Sequence, residues 1–230
     1  MKKYKAVIFD MDGTLLDTLT DLRISLNHSL KVCGYAEHTE DEVRSYIGDG
    51  MGALILRALP DSLKPDESAE AEDFREINAA CIKVGKEFRK FYIEHGEDNT
   101  RPYEGIVGLL TELKAQGVKT AVVSNKVQEA VERLCERLFK GLIDIAVGDR
   151  EGVNLKPAPD MLLEALNILG VNREDAVFVG DGEADIIAAK KAELNCISVC
   201  YGYRTEEFLR EKGGSVFAHD VRELSNLLKV

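Results

Sequence analysis

The chain has 230 residues, of which 41 are Asp or Glu and 30 are Lys or Arg, so its formal net charge is −11. Hydrophobic residues make up 45% of the sequence, which is enough for a sizeable core and excludes a disordered chain. The acidic excess argues against nucleic acid as a partner, and apolar runs of at most four residues exclude a membrane-spanning helix.

Short β-branched runs alternate with amphipathic segments of helical length along most of the chain. The strand candidates, in chain order, are Ala6–Phe9, Thr120–Ser124, Ile143–Val147, Ala176–Val179, Cys196–Val199 and Val216–Ala218. The helix candidates between them are Glu104–Gln116, Val127–Phe139, Pro159–Leu169, Glu183–Ala192 and Thr205–Lys212. This alternation, with strands that are apolar along most of their length, predicts an α/β protein whose parallel sheet is covered by helices on both faces.

The segment after the first strand is predicted to be a helical insert. Apolar residues at helical spacing mark one helix near 19–30 and a longer one over 74–91. The predicted domains are therefore a core of residues 1–14 and 99–230 and a helical cap domain of residues 15–98. An insert that enters and leaves through two short linkers can move as a lid.

Four carboxylates are expected at one edge of the sheet, because ligands in open parallel sheets bind beyond the carboxyl ends of the strands. Asp10 and Asp12 follow the first strand, and Asp181 and Asp185 follow the strand that begins at Ala176. Their combined charge requires nearby cations, and carboxylate oxygens without His or Cys favour Mg²⁺ as the cofactor. The sequence thus predicts a metal site formed by these four residues.

Three further residues are candidates for binding a phosphoryl group. Ser124 and Asn125 come at the end of the second predicted strand and offer a hydroxyl and an amide. Lys156 stands in a loop with two prolines just before a helix. Lys156 and one divalent ion leave the four carboxylates one positive charge short, which favours a shared proton on one aspartate, as a general acid needs.

These charges predict a carboxylate nucleophile that attacks phosphorus. A carboxylate about 4 Å from a phosphate dianion is repelled by about 8 kcal/mol at an effective dielectric constant of about 20, so the attack requires a metal ion and a lysine. The hypothesis assigns Asp10 as the nucleophile that forms an aspartyl-phosphate and Asp12 as the general acid and base. Mg²⁺ would bridge Asp10, the backbone carbonyl of Asp12, Asp181 and the phosphate.

The motifs at these positions resemble those of the haloacid dehalogenase-like phosphatases in order and spacing. Asp-Met-Asp-Gly-Thr-Leu-Leu-Asp-Thr at 10–18 is similar to the first motif of that family, and 122–126, 155–159 and 180–185 are similar to the next three. The resemblance covers essentially the whole chain. It implies a Rossmann-like, doubly wound core, a helical cap inserted after the first motif, and Mg²⁺-dependent phosphatase activity through an aspartyl-phosphate.

The fourth motif departs from the family pattern. Many relatives carry Ser directly after the first Asp, whereas here Gly182 follows Asp181 and is itself followed by Glu183. Three roles therefore stay open for Asp185: a direct metal ligand, a water-mediated ligand or a partner of Lys156. Asp181 is the stronger candidate for the metal, and a direct metal contact by Glu183 is a further alternative.

Within the family, the sequence resembles the phosphoglycolate phosphatase branch, with segments at 20–22 and 101–103 among those that carry the likeness. The resemblance implies a small phosphorylated metabolite, such as 2-phosphoglycolate, as the substrate. Gly48, Asp49 and Gly50 lie in a glycine-rich turn whose amides can bind the carboxylate of such a substrate. A bend that needs unusual backbone angles is the alternative explanation of the same glycines.

Other functions of such a chain stay open. On the same core they are an inorganic pyrophosphatase, a nucleotide or sugar phosphatase, and a phosphoglucomutase-like phosphoryl transferase. A different class is a phosphorylation-dependent signalling receiver, but a receiver lacks a large cap insert. Only four apolar residues follow the basic N-terminus, too few for a signal peptide, so we expect a cytoplasmic protein with reduced cysteines. The expected oligomeric state is a monomer or a homodimer.

Overall fold

The computed structural model describes residues 4–48, 50–64 and 74–229. The chain divides into two compact units, one of Met1–Asp17 and Arg101–Val230 and the other of Thr18–Thr100. This division assigns residues 15–17 to the sheet unit and 99–100 to the helical unit. The domain limits drawn from the sequence, after residues 14 and 98, stay a prediction.

The larger unit contains the strands. They are β1 (Ala6–Phe9), β2 (Leu16–Asp17), β3 (Arg101–Pro102), β4 (Lys119–Val127), β5 (Ile145–Asp149), β6 (Ala176–Gly180), β7 (Asn195–Val199) and β8 (Phe217–Ala218). Six of them form a parallel sheet in the order β5-β4-β1-β6-β7-β8, and β2 pairs antiparallel with β3. The strand order reverses at β1, so the carboxyl end of β1, between β4 and β6, is the topological switch point where ligands bind in such sheets.

Ten α-helices lie in the described part of the chain, four of them in the smaller unit. They are α1 (Leu19–Cys33), α2 (Glu40–Tyr46), α3 (Gly50–Ala58), α4 (Phe74–His95), α5 (Ile106–Ala115), α6 (Gln128–Leu138), α7 (Asp160–Leu169), α8 (Glu183–Lys191), α9 (Glu206–Glu211) and α10 (Val221–Leu228). None of these helices has both the length and the apolar character that crossing a membrane requires.

The sheet is buried on both faces, and β1 shows why its residues form a strand. Val7 and Phe9 pack into a core with residues of α5, α6 and α10. Ala6 and Ile8, whose side chains point the opposite way, pack with residues of α7 and α8. A continuous apolar run satisfies both cores at once, so the predicted α/β fold with a doubly wound parallel sheet is confirmed.

One buried carboxylate joins the two ends of the helical unit. Asp21, near the start of α1, accepts hydrogen bonds from the backbone N–H groups of Asn99 (2.9 Å) and Thr100 (2.7 Å). It also accepts hydrogen bonds from both of their side chains, each at 2.8 Å. A carboxylate that accepts this many hydrogen bonds is stable without exposure, and Asp21 is accordingly buried.

Two features of the fold were not predicted. Pro102 lies in β3, where Leu16 of β2 is its partner. The last helix, α10, is only eight residues long, and the Asp220 side chain begins it by accepting a hydrogen bond from the Glu223 N–H at 2.7 Å. β3 is too short to show a periodicity in the sequence, whereas the apolar residues Val221, Leu224 and Leu228 of α10 recur at helical spacing and are a signal that was missed.

Candidate active site

The carboxyl end of β1 turns sharply after its last apolar residue. The Asp10 N–H donates to the Val179 carbonyl at 2.8 Å, which continues the pairing with β6 for one more residue. Gly13 adopts φ 84° in the turn that follows, and a Cβ there would lie 2.3 Å from Asp181 Oδ2. Only glycine therefore allows the turn after β1 to approach Asp181 so closely.

The end of β6 brings the two later aspartates to the same place. Asp185, in the first turn of α8, accepts hydrogen bonds through Oδ2 from the N–H groups of Asp181 (3.1 Å) and Gly182 (3.0 Å). Carboxylate oxygens of Asp10, Asp181 and Asp185 all lie within 4.8 Å of one another. The structure thus brings together three of the four predicted carboxylates.

Lys156 lies between two of these carboxylates and is itself buried. Its Nζ is 2.7 Å from Asp10 Oδ1 and 2.8 Å from Asp185 Oδ1, and it donates to the Val123 carbonyl at 3.0 Å. Of the roles left open for Asp185, the structure shows the ion pair with Lys156. A single ammonium therefore joins the residue after β1 to the first turn of α8.

Asn125 holds the backbone of Lys156. Its Oδ1 accepts from the Lys156 N–H and its Nδ2 donates to the Lys156 carbonyl, both at 2.9 Å. This pair of contacts fixes the loop from which the lysine side chain extends. The predicted role of Asn125 in phosphate binding stays a prediction, and the contact that the structure shows is with Lys156.

Asp12, the fourth predicted carboxylate, pairs with a lysine that the sequence did not assign. Lys126 Nζ lies 3.0 Å from Asp12 Oδ1, and the lysine side chain is only 8% exposed. The N–H of Lys126 donates to the Ser124 hydroxyl at 3.2 Å, and Ser124 is buried at the same end of β4. The segment 122–126 therefore supplies an ammonium as well as a hydroxyl and an amide.

Lys126 changes the charge balance expected from the sequence. Two lysines and one divalent ion carry +4, which equals the −4 of the four carboxylates. With the ion bound, the charges therefore balance without the shared proton that the sequence favoured, whereas without the ion a proton on the buried carboxylates makes up part of the missing charge. The sequence reasoning was incomplete because it counted Lys156 alone.

A loop after β7 supports Asp181 and was also missed. The Tyr203 N–H donates to Asp181 Oδ2 at 2.7 Å. A Cβ at Gly202 would lie 2.3 Å from the Gly13 carbonyl oxygen, so Gly13 and Gly202 pack closely against each other and against Asp181. The signal was available, because residues 201–203 follow a predicted strand as the motif residues do.

Burial and like charges raise the pKa values of the clustered carboxylates. Burial is the largest cause for Asp10, with the charge of Asp185 adding to it and that of Lys156 opposing it, and together they raise its pKa to about 7. The pKa of Asp181 is raised well above its ordinary value by burial and by Asp10 and Asp185. Burial alone would lower the pKa of Lys156, but the attraction of Asp10 and Asp185 is stronger and raises it.

The aspartate cluster fits a divalent cation. Asp10 and Asp185 share the ammonium of Lys156, and Asp181 adds a third carboxylate within 4.8 Å, so one positive charge faces three negative ones in this cluster. The donors within this cluster are all oxygens, which suits a hard cation such as Mg²⁺ better than zinc. Asp10 and Asp181 are the better candidates for direct metal ligands, because both carboxylate oxygens of Asp185 are already engaged. Its Oδ1 contacts Lys156 and its Oδ2 accepts from two backbone N–H groups.

The raised carboxylate pKa values predict how pH affects the stability of the metal-free protein. Asp10 has a pKa of about 7 when folded and about 4 when unfolded, so the folded state holds the extra proton in between. The free energy of unfolding should therefore fall by a few kcal/mol as the pH rises from about 4 to about 7. Urea unfolding in EDTA at several pH values measures this fall.

Added Mg²⁺ provides the control for that measurement. The ion replaces the proton, so its stabilising effect should be larger at pH 8 than at pH 5. The Asp10→Asn variant should show a smaller pH dependence in EDTA. An effect of Mg²⁺ that is equal at every pH would mean that the cation does not bind at these carboxylates.

The glycine-rich turn predicted to bind the substrate's carboxylate begins α3. Gly48 and Gly50 have φ values of 132° and 82°, and Asp49 lies outside the described residues. These backbone angles by themselves account for glycine at both positions. The predicted role in substrate specificity stays a prediction.

A doubly wound sheet with a buried lysine among aspartates at its switch point is typical of a hydrolase whose chemistry rests on carboxylates. The family model of the haloacid dehalogenase-like hydrolases matches residues 7–199. The chain belongs to this family, which confirms the resemblance seen in its motifs.

Proteins of similar sequence and structure indicate the kind of enzyme within this family. The chain is 36% identical to a phosphoglycolate phosphatase of Aquifex aeolicus (strain VF5) over 86% of each chain. It is 31% identical to phosphoglycolate phosphatase 1 of Pseudomonas aeruginosa, over 96% of this chain and 78% of that one. A solved structure from Lactobacillus delbrueckii subsp. bulgaricus is 36% identical, with a TM-score of 0.91 and 99% of each chain covered. The protein is a phosphatase of the haloacid dehalogenase-like family.

Proposed function

We propose that the protein is a Mg²⁺-dependent phosphomonoester hydrolase that acts on 2-phosphoglycolate or a similar small phosphorylated acid, through an aspartyl-phosphate on Asp10. The observation that carries this proposal is the contact of Lys156 Nζ with Asp10 at 2.7 Å, beside a second buried aspartate. The names of the relatives support the substrate. We also propose that the protein acts in the cytoplasm.

Asp10 attacks phosphorus with one carboxylate oxygen while the bond to the substrate's oxygen breaks. Repulsion of about 8 kcal/mol between the carboxylate and a phosphate dianion at contact distance opposes this approach. Lys156 reduces that repulsion because its ammonium touches Asp10 and is held rigidly by Asn125 and Val123. We propose that the Ser124 hydroxyl and Lys156 also hold the phosphoryl oxygens.

Asp12 lies two residues from the nucleophile, on the same turn, and serves as acid and then as base. In the proposed mechanism Asp12 takes up a proton when the phosphate dianion adds its negative charge to the site, and donates it to the leaving oxygen. It then takes a proton from the water that attacks the aspartyl-phosphate, and inorganic phosphate leaves. Lys126, at 3.0 Å from Asp12 Oδ1, holds this carboxylate in place. Lys126 is therefore a positioning residue in the proposed mechanism.

Asp10, Asp181 and the backbone carbonyl of Asp12 would hold the cation, with Asp185 supporting them through Lys156. When bound, Mg²⁺ supplies Lewis-acid stabilisation of the charge that develops on the phosphoryl oxygens. Tyr203 and the two glycines around Asp181 keep that ligand from moving away.

A phosphate-release screen tests the proposed substrate. We expect kcat/KM for 2-phosphoglycolate to exceed the values for nucleotides, sugar phosphates and pyrophosphate by about 10-fold or more, because a pocket that pairs a substrate's polar group rejects analogues without it. EDTA should abolish the activity and Mg²⁺ should restore it. A better rate with pyrophosphate, or transfer without phosphate release, would favour the other functions on this core. A stable phosphorylated protein would favour the receiver.

Replacing Lys126 with methionine should lower the rate of hydrolysis most for those substrates whose leaving oxygen needs a proton. We expect kcat/KM for 2-phosphoglycolate to fall about 10- to 100-fold, less than the roughly 10²- to 10⁴-fold contribution of a general acid, because Asp12 itself is retained. The value for p-nitrophenyl phosphate should change little, because nitrophenolate leaves without a proton. Lys140→Met, at an exposed lysine paired with Glu136, is the matched control. Equal losses with both substrates would show that Lys126 acts on the phosphoryl group instead of on Asp12.

A further inference from the structure

A second group of metal-binding side chains lies in the sheet unit, outside the aspartate cluster. Cys200 directly follows β7, Glu206 begins α9 and His219 follows β8. One donor atom of each, the thiol sulfur, a carboxylate oxygen and a ring nitrogen, lies within 4.8 Å of the other two. Three separate segments of the fold thus bring a mixed set of sulfur, oxygen and nitrogen donors to one point.

A fourth side chain orients the histidine. Glu223 Oε2 accepts a hydrogen bond from the His219 backbone N–H at 2.8 Å and lies 2.9 Å from its Nδ1. The Nε2 atom faces Glu206 Oε2 at 2.7 Å. A carboxylate that accepts a hydrogen bond from Nδ1–H keeps that proton on Nδ1, so Nε2 is the atom that can bind a metal once its own proton leaves, the arrangement common around metal-bound histidines.

The charges around the group attract cations. Burial is the largest cause that raises the pKa of Cys200, and Glu206, Glu207 and Glu223 raise it further. Arg210 pairs with Oε1 of Glu206, which leaves Oε2 facing the histidine. His219 is 56% exposed, so an ion can reach the group from solvent.

We propose that Cys200, Glu206 and His219 form a Zn²⁺ site, with Glu223 orienting His219. A thiolate and an imidazole together favour zinc over Mg²⁺, which prefers oxygen ligands alone. Tetrahedral coordination separates the ligand atoms by about 3.3–3.7 Å, so only small side-chain rotations are needed to close the group around the ion. Binding releases the thiol proton and the proton shared by Nε2 and Glu206 to solvent, and a water molecule completes the coordination.

The site would also brace the loop that supports the catalytic centre. Cys200 and Glu206 stand at the two ends of a segment that contains Gly202 and Tyr203, the residues that contact Asp181. A shared ion would hold both ends of this segment together. Zinc is expected to stabilise the folded protein while Mg²⁺ remains the ion of the aspartate cluster.

Cobalt substitution on the whole reduced chain tests the proposal without relying on activity. Co²⁺ is added to metal-free protein in excess Mg²⁺, which occupies the aspartate cluster, and the thiolate-to-cobalt absorption band is recorded. The wild type should show the band with about one ion per chain, and Zn²⁺ should displace it. Cys200→Ser should remove the band, whereas Cys81→Ser, at a half-buried thiol of the helical unit, should retain it. A missing band in the wild type, or an undiminished band in Cys200→Ser, would overturn the site.

Zn²⁺ titration of histidine variants gives an independent measurement. His219→Ala, at an exposed side chain that should not impair folding, should weaken Zn²⁺ binding at least about 10-fold, and Glu223→Gln about 10-fold. His95→Ala is the matched control, because His95 pairs with Asp98 at 3.1 Å and belongs to neither metal-binding group. Equal Zn²⁺ affinity in the wild type and His219→Ala would refute the proposal even if the phosphatase activity is as proposed.

Discussion

Replacing Asp10 with asparagine is expected to lower kcat for 2-phosphoglycolate about 10⁴-fold or more, while the protein stays folded. Asparagine keeps the shape of the side chain but is too weak a nucleophile to form the phosphorylated intermediate. It also removes a buried negative charge from beside Asp181 and Asp185, so the metal-free variant should be no less stable than the wild type. Phosphate release and urea unfolding measure the two effects.

A chemical trap distinguishes the nucleophile from a mere metal ligand. Wild-type protein quenched in acid during turnover should carry phosphate that hydroxylamine releases, and Asp10→Asn should carry none. Asp175→Asn is the matched control. Asp175 pairs with Lys5 and lies just before β6, at the end of that strand opposite to Asp181 and the aspartate cluster. Trapped phosphate in Asp10→Asn would move the nucleophile to another residue.

Replacing Lys156 with methionine should damage both activity and stability. Removal of one partner from a buried ion pair usually costs about 3–5 kcal/mol, and here it leaves Asp10 and Asp185 without their ammonium. The loss of a charge that stabilises the phosphoryl group should lower kcat about 10³-fold. Urea unfolding in EDTA and phosphate release measure the two losses.

The response of this variant to Mg²⁺ separates the two roles of the lysine. Without Lys156 the cluster is more negative, so Mg²⁺ should stabilise the variant more than the wild type. Lys5→Met, at an exposed lysine paired with Asp175, should leave activity unchanged. Full activity in Lys156→Met would show that the lysine is structural only.

The position of the aspartate cluster was predictable because topology determines it. A four-residue apolar run, Ala6–Phe9, in a chain of alternating strands and helices fits a central parallel strand that is buried on both faces, so its carboxyl end is expected beside those of its neighbours. The residues directly after β1 and β6 were therefore expected together, and Asp10 and Asp181 are found together. This reasoning needs strand order and direction but no side-chain geometry.

The lysine and amide contacts were not predictable, because they depend on the reach and direction of individual side chains. Lys126 follows Ser124 and Asn125 in the sequence, but only the three-dimensional path of β4 shows that it reaches Asp12. Likewise, nothing in the sequence indicates that Asn125 binds the backbone of Lys156, a residue 31 positions later. Such long-range pairs carry no periodic signal.

The short β2–β3 ladder has a consequence for how such proteins diversify. Leu16 pairs with Pro102, Asp17 pairs with Arg101, and the Tyr103 N–H donates to the Leu15 carbonyl at 3.1 Å. The two chain crossings that flank the 18–100 segment are thus adjacent and antiparallel, as in the stem of a hairpin. A tight turn of two to four residues is enough to join such a stem. Evolution can therefore remove, enlarge or exchange the whole intervening module at this one stem without altering the hydrogen-bond register of the six-stranded sheet.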